Sequence, residues 1–164
     1  MRDARITAIY EGTTAIQAND LIGRKIAREQ GATIKALIAE MRADAAQLDG
    51  DLAVIGARQQ AGIDAVDKAV DWIVANFKAD PKATHAGAVP FLFLLGIVAG
   101  AWQMGRAAVI ARARIASGDS DPFWPAKLAT TRFFTDHFLT QAAGLAESVV
   151  AGAAGALEIA DDSF

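Results

Sequence analysis

The residues best suited to chemistry stand near the start of the chain, in Ile9-Tyr10-Glu11-Gly12-Thr13-Thr14-Ala15-Ile16-Gln17. A carboxylate and a glycine come directly before two threonines and the start of a helical pattern. Thr14 and Gln17 have capping-box spacing, in which the Thr14 hydroxyl accepts from the Gln17 backbone N–H and the Gln17 side chain reaches back. The free N–H groups and dipole of a helix start equally suit an anion, so the same Thr13-Thr14 corner fits a phosphate. On spacing alone the cap is the favoured reading. Glu11 stands outside the helix, beside a glycine that permits close backbone approach to a ligand. Held among apolar groups it would act as a general base, because burial disfavours its charged form. On these residues alone the favoured reading is that it only complements the helix dipole.

Other reactive types are sparse. His85 and His137 are isolated, with no HExxH spacing and no carboxylate at helical metal-ligand spacing, so both read as surface or partly buried side chains and no metal site is expected. The chain has no GxSxG elbow, Walker A loop or GxGxxG fingerprint. Arg24, Lys25 and Arg28 form a short basic face, read as solvated rather than as a phosphate contact. Trp72, Trp102 and Trp124 lie on apolar stripes and read as core residues.

The elements that must position the junction read as helices throughout. Ile34, Leu37, Ile38, Met41 and Leu48 recur with helical period, closed by Gly50. A second helix, about 52–78, carries Leu52, Ile55, Val66, Val70, Ile73, Val74 and Phe77 and ends at Asp80-Pro81. The third runs from the apolar segment Ala86–Gly105 to the break at Ser117-Gly118-Asp119. A fourth starts at Asp121-Pro122, where Asp can cap and Pro suits the first turn, and carries one stripe of Trp124, Leu128, Phe134, Phe138, Leu145 and Val149. A further helix, about 14–29, precedes them and is interrupted near Gly31. No stretch alternates with period two. The expected fold is all-α, an up-down helical bundle of four main helices preceded by a short helix.

Composition narrows the function classes. The net charge of −3 comes with scattered Lys and Arg, which argues against nucleic acid. With no cysteine there is no disulfide framework or thiol nucleophile, which fits a reducing, cytoplasmic setting. The N-terminus lacks the apolar core of a secretory signal. Ala86–Gly105 is twenty uncharged residues, long enough to cross a bilayer, yet Pro90, four glycines and Gln103 favour a central buried helix, so no membrane span is expected. Gly96 and Gly100 have the GxxxG spacing that brings helices close.

The run from Arg2 to Gln17, RDARITAIYEGTTAIQ, resembles the C-terminal signature of the acyl-CoA dehydrogenases. The likeness is strong over the first thirty or so residues. The remainder resembles the extra C-terminal helical domain of one subgroup, most of all between Phe91 and Trp102. On this resemblance residues 1–31 end a flavin-binding helical domain and residues 32–164 form a C-terminal bundle domain. It implies FAD-dependent α,β-dehydrogenation of an acyl-CoA, with Glu11 as the base. Tyr10 and Gly12 would lie against the substrate, and Thr13, Thr14 and Ala15 would meet the FAD phosphates. Implied partners are an electron-transfer flavoprotein and further copies of the chain. Since the domains that precede this signature in the family are absent from these 164 residues, the expectation is a C-terminal fragment of a longer enzyme, inactive alone and poor at holding FAD. The competing expectation is a non-catalytic helical module for interaction or oligomerisation.

Overall fold

The computed structural model describes residues 3–9 and 12–163, and among them every regular element is helical. Eight α-helices occur in the described residues: α1 (Thr14–Asp20), α2 (Ala32–Ala45), α3 (Ala53–Asn76), α4 (Pro81–Ala86), α5 (Ala88–Ala116), α6 (Phe123–His137), α7 (Ala142–Ala151) and α8 (Ala153–Leu157). The expected bundle is present, with α2, α3, α5 and the α6–α7 pair as its main members. Short connections bring sequence neighbours side by side.

α5 is the centre of the fold. It packs against α1, α2, α3, α6 and α7 and buries Phe91, Leu94, Val98, Ala101, Gly105, Ala108 and Ala111. By length and composition alone it could cross a membrane. Its neighbours bury about a third of that apolar stretch, while Phe93, Ile110 and Ile115 stay exposed. Of its GxxxG pair only Gly100 meets another helix: a Cβ there would lie 3.0 Å from Cζ of Phe134 on α6, whereas one on Gly96 would meet open space.

The stripes expected on α2 and α3 are buried as read, with Ile34, Ile38, Met41, Val66, Val70 and Ile73 at their centre and Leu37, Val74 and Phe77 at the edge. Ala18, Ile22 and Ile26 from the first helical run enter this same core. A smaller cluster of Leu48, Leu52, Ile55 and Ala108 closes the far end. There Arg112 of α5 pins the α2–α3 connection, donating to the Asp49 carbonyl at 2.8 Å, the Asp49 carboxylate at 2.7 Å and the Gln47 carbonyl at 3.2 Å.

The expected fourth helix is two helices. α6 stops at His137, a 3-10 turn spans Leu139–Gln141, and α7 restarts at Ala142. The run of threonines and phenylalanines before the break, TTRFFTDHF, has modest helix propensity. Breaking there also turns Leu139 into the core, with its Cδ1 2.7 Å from where a Cβ on Gly62 would lie. The stripe on α6 is corrected as well. Thr131 and Thr135 are the buried positions, Phe134 is half-buried and Phe138 is exposed. Thr131 enters because its hydroxyl donates to the Lys127 carbonyl at 2.9 Å and to the Met104 carbonyl at 3.2 Å.

Candidate functional site

Asp3–Ala8 forms a 3-10 turn, and Gly12 follows with φ +74, a left-handed conformation suited to glycine. A Cβ at Gly12 would meet nothing within 4 Å, so the backbone there is open to close approach. Tyr10 and Glu11 lie outside the described residues.

α1 begins at Thr14, with Thr13 as its N-cap residue. The expected capping box does not form. Thr13 sits in the helical region (φ −93, ψ −7), no side chain caps the helix, and Gln17 N–H donates to the Thr13 carbonyl at 2.9 Å as the first intrahelical bond. With the helix started one residue earlier than a Thr14 cap requires, Thr14 lies inside the first turn and its hydroxyl is out of register. The N–H groups of Thr14, Ala15 and Ile16 therefore have no carbonyl one turn back within the helix. Thr13 is half-buried; Thr14, Ala15, Ile16 and Gln17 are exposed. No acidic residue occupies the first turn to oppose an anion. Three large apolar side chains, Ile6, Ile9 and Ile16, stand exposed around this corner.

Beyond Asp20 the run continues as a π-helix over Leu21–Ile26 and a 3-10 turn over Ala27–Glu29. Gln30 (φ +53) and Gly31 (φ +78) then end it in left-handed conformations. Gln30 Nε2 donates to the Ala27 carbonyl at 2.9 Å, and the backbone of Gly31 lies against Val70 and Val74 of α3. These contacts tie the junction's helix to the bundle.

The other residues singled out by sequence have mainly structural surroundings. His85 is exposed, its Nδ1 2.7 Å from the Pro81 carbonyl and its ring 5.5 Å from that of Phe77. His137 is exposed beside Phe133. Among the described residues no group of acids and histidines could hold a metal ion. The tryptophans sit at the rim of the core rather than within it. Trp102 donates its indole N–H to Asp44 at 2.8 Å beneath the Arg106 guanidinium, and Arg114 lies over Trp124. Of the basic face, Arg24 pairs with Asp20 at 2.9 Å.

A model of the family described as "Acetyl-CoA dehydrogenase C-terminal like" matches residues 32–160. The chain belongs to this family. It is 42% identical over 147 residues to a protein of Ruegeria pomeroyi named 3-methylmercaptopropionyl-CoA dehydrogenase, an alignment covering 85% of this chain and 24% of that protein. It is 30% identical over 151 residues to a broad-specificity linear acyl-CoA dehydrogenase of Mycobacterium tuberculosis, again covering 85% of this chain and 24% of the relative. The chain thus spans about a quarter of the length of the curated relatives it matches. Resemblance at the YEGT run and family membership through α2–α8 point to the same class of protein from different residues.

Proposed function

We propose that the chain is the C-terminal part of an FAD-dependent acyl-CoA dehydrogenase of the fatty-acid β-oxidation type, with residues 1–31 closing the flavin-binding helical domain and residues 32–164 forming a C-terminal bundle. The observation that carries this reading is the junction at Gly12. An open left-handed glycine and a helix start whose first N–H groups have no partner within the helix follow directly on Glu11, in a chain whose remaining helices match relatives named as acyl-CoA dehydrogenases.

In this reading Glu11 removes the α-proton of the thioester, leaving the electron pair to form the α,β double bond as the β-hydrogen departs as hydride. FAD, when bound, supplies the acceptor for that hydride. Thr13, Thr14 and Ala15 fit its phosphates, because the first turn offers N–H donors with no acidic side chain among them. Tyr10 and Gly12 line the acyl-CoA side, and reduced flavin passes its electrons to an electron-transfer flavoprotein in the cytoplasm. The 164 residues by themselves are inactive and hold FAD weakly, since most flavin and substrate contacts would come from other parts of the polypeptide. Exposed Ile6, Ile9 and Ile16 fit this view, as apolar surface that other parts or copies of the protein would cover.

Glu11→Gln in a full-length protein tests the reading. It removes only the proton acceptor, so dehydrogenation should fall by at least about a hundredfold while flavin stays bound. A second reading, a helical oligomerisation module without chemistry, draws on the exposed Phe93, Phe133 and Phe138. It predicts no dehydrogenation even with Glu11 intact.

A further inference from the structure

A hollow of about 380 Å³ opens between the π-helical segment Leu21–Ile26, with the turn after it, and the C-terminal end of α3. Its floor is apolar, made by Val74 and Phe77. The edge of the Phe77 ring lies 3.4 Å from the position a Cβ on Gly23 would take, so the ring edge packs on the bare Gly23 backbone and leaves its remaining surface to line the hollow.

The rim is cationic. Arg24, Arg28 and Lys78 all line the hollow. Asp20 answers Arg24, but among the described residues no ion pair engages Arg28 or Lys78. The C-terminal dipole of α3 opposes an anion with roughly half a charge, which is less than the two whole positive charges left unanswered. The backbone of this wall is irregular: its π-helical turns carry Ile22 and Ile26 into the core while Gly23 and Arg24 line the hollow. π-Helical turns are rare and concentrate at functional sites, and left-handed Gln30 lines the same hollow.

We propose that this hollow binds a small organic anion, with its phosphate or carboxylate held by Arg28 and Lys78 and a flat apolar body lying on Phe77 and Val74. The volume falls within the range of small-molecule sites, about 300–1,000 Å³. An aromatic floor under a positive rim matches a ligand that is apolar at one end and charged at the other. The site shares no residue with the Tyr10–Ala15 junction and does not rest on the dehydrogenase reading.

The test titrates the 164-residue chain with 1-naphthyl phosphate and follows backbone amides by NMR. Saturable shifts at Gly23, Ala27, Phe77 and Lys78 are expected, with a Kd of about 1 mM or tighter. Inorganic phosphate and 1-naphthol, each lacking one half of the ligand, should bind at least about tenfold more weakly. Arg28→Gln with Lys78→Gln changes two exposed side chains and should leave the melting temperature unchanged while weakening the probe about tenfold or more. Phe77→Leu keeps the floor apolar but removes the ring, and should bring the naphthyl compound close to inorganic phosphate. Shifts that do not saturate, or a charge-depleted variant that binds as tightly as the parent, overturn the proposal.

Discussion

The side chain of Gln59 fills the space that a side chain on Gly105 would claim. Gln59 is buried on α3 and its amide donates to the Ala101 carbonyl of α5. A Cβ added at Gly105 would fall 2.5 Å from Nε2 and 3.0 Å from Cδ of Gln59. The close approach of the two central helices depends on this pairing of a polar side chain with an absent one.

Gly105→Ala should therefore destabilise the fold. Alanine gains about 1 kcal/mol over glycine in a helix interior, but overpacking at a buried contact costs about 1–3 kcal/mol. A net loss of about 1 kcal/mol in urea unfolding is expected. A gain in stability would show that Gln59 moves aside without cost.

The two glycines of the α5 GxxxG pair should respond differently to the same change. Gly96 faces open space, so alanine there should stabilise by up to about 1 kcal/mol through propensity alone. Gly100 lies under Phe134, whose ring must shift to admit a methyl group. Thermal unfolding should place Gly100→Ala below Gly96→Ala by at least about 0.5 kcal/mol. Equal effects would remove the close α5–α6 approach as the reason for glycine at 100.

Acid should weaken the α2–α3 contact through Asp67. Burial raises its pKa, but hydrogen bonds and charge from Lys35 and Arg42 outweigh that and hold the carboxyl below the usual carboxylate range. A carboxyl depressed in the folded state stabilises the fold above its unfolded pKa of about 3.9, and that contribution is lost as pH falls through the folded value. The parent should thus lose stability below about pH 4, and Asp67→Asn should flatten that part of the profile. At neutral pH the substitution should cost no more than about 1 kcal/mol, because the pair is partly exposed. Superimposable urea midpoints against pH for parent and variant would contradict this assignment. Lys35 works in the opposite range. Burial lowers its pKa, yet Asp67 and Asp71 leave it raised, so its contribution is full below its unfolded pKa while those carboxylates stay ionised, and fades as alkali deprotonates it.

Much of the bundle was legible in the sequence because burial on one side of a helix leaves a periodic trace. Ile34, Ile38, Met41, Val66, Val70 and Ile73 carried that trace and are in the core. Thr131, Gln59 and Gly105 carried none, since each enters the core through a particular partner, the Met104 carbonyl, the Ala101 carbonyl and the Gln59 side chain. Nothing in the structure explains Thr135, whose buried hydroxyl has no hydrogen-bond partner among the described residues. The break after His137 was hidden for a related reason. The apolar pattern continues through it, and only the packing of Leu139 against Gly62 shows why the axis turns.

The same division holds for the sites. Residue types and spacing by themselves determined the helical class, the helix-start junction at Gly12–Thr14 and the resemblance at YEGT, because these depend on neighbours along the chain. Tertiary structure decided that Thr13 rather than Thr14 stands at the N-cap, and that Ile22 and Ile26 join the core of the bundle. It also decided that Arg24 and Arg28 meet Phe77 and Lys78 around one hollow. Those residues are some fifty positions apart. Only folding α3 back against the first helical run places an aromatic floor beneath those charges.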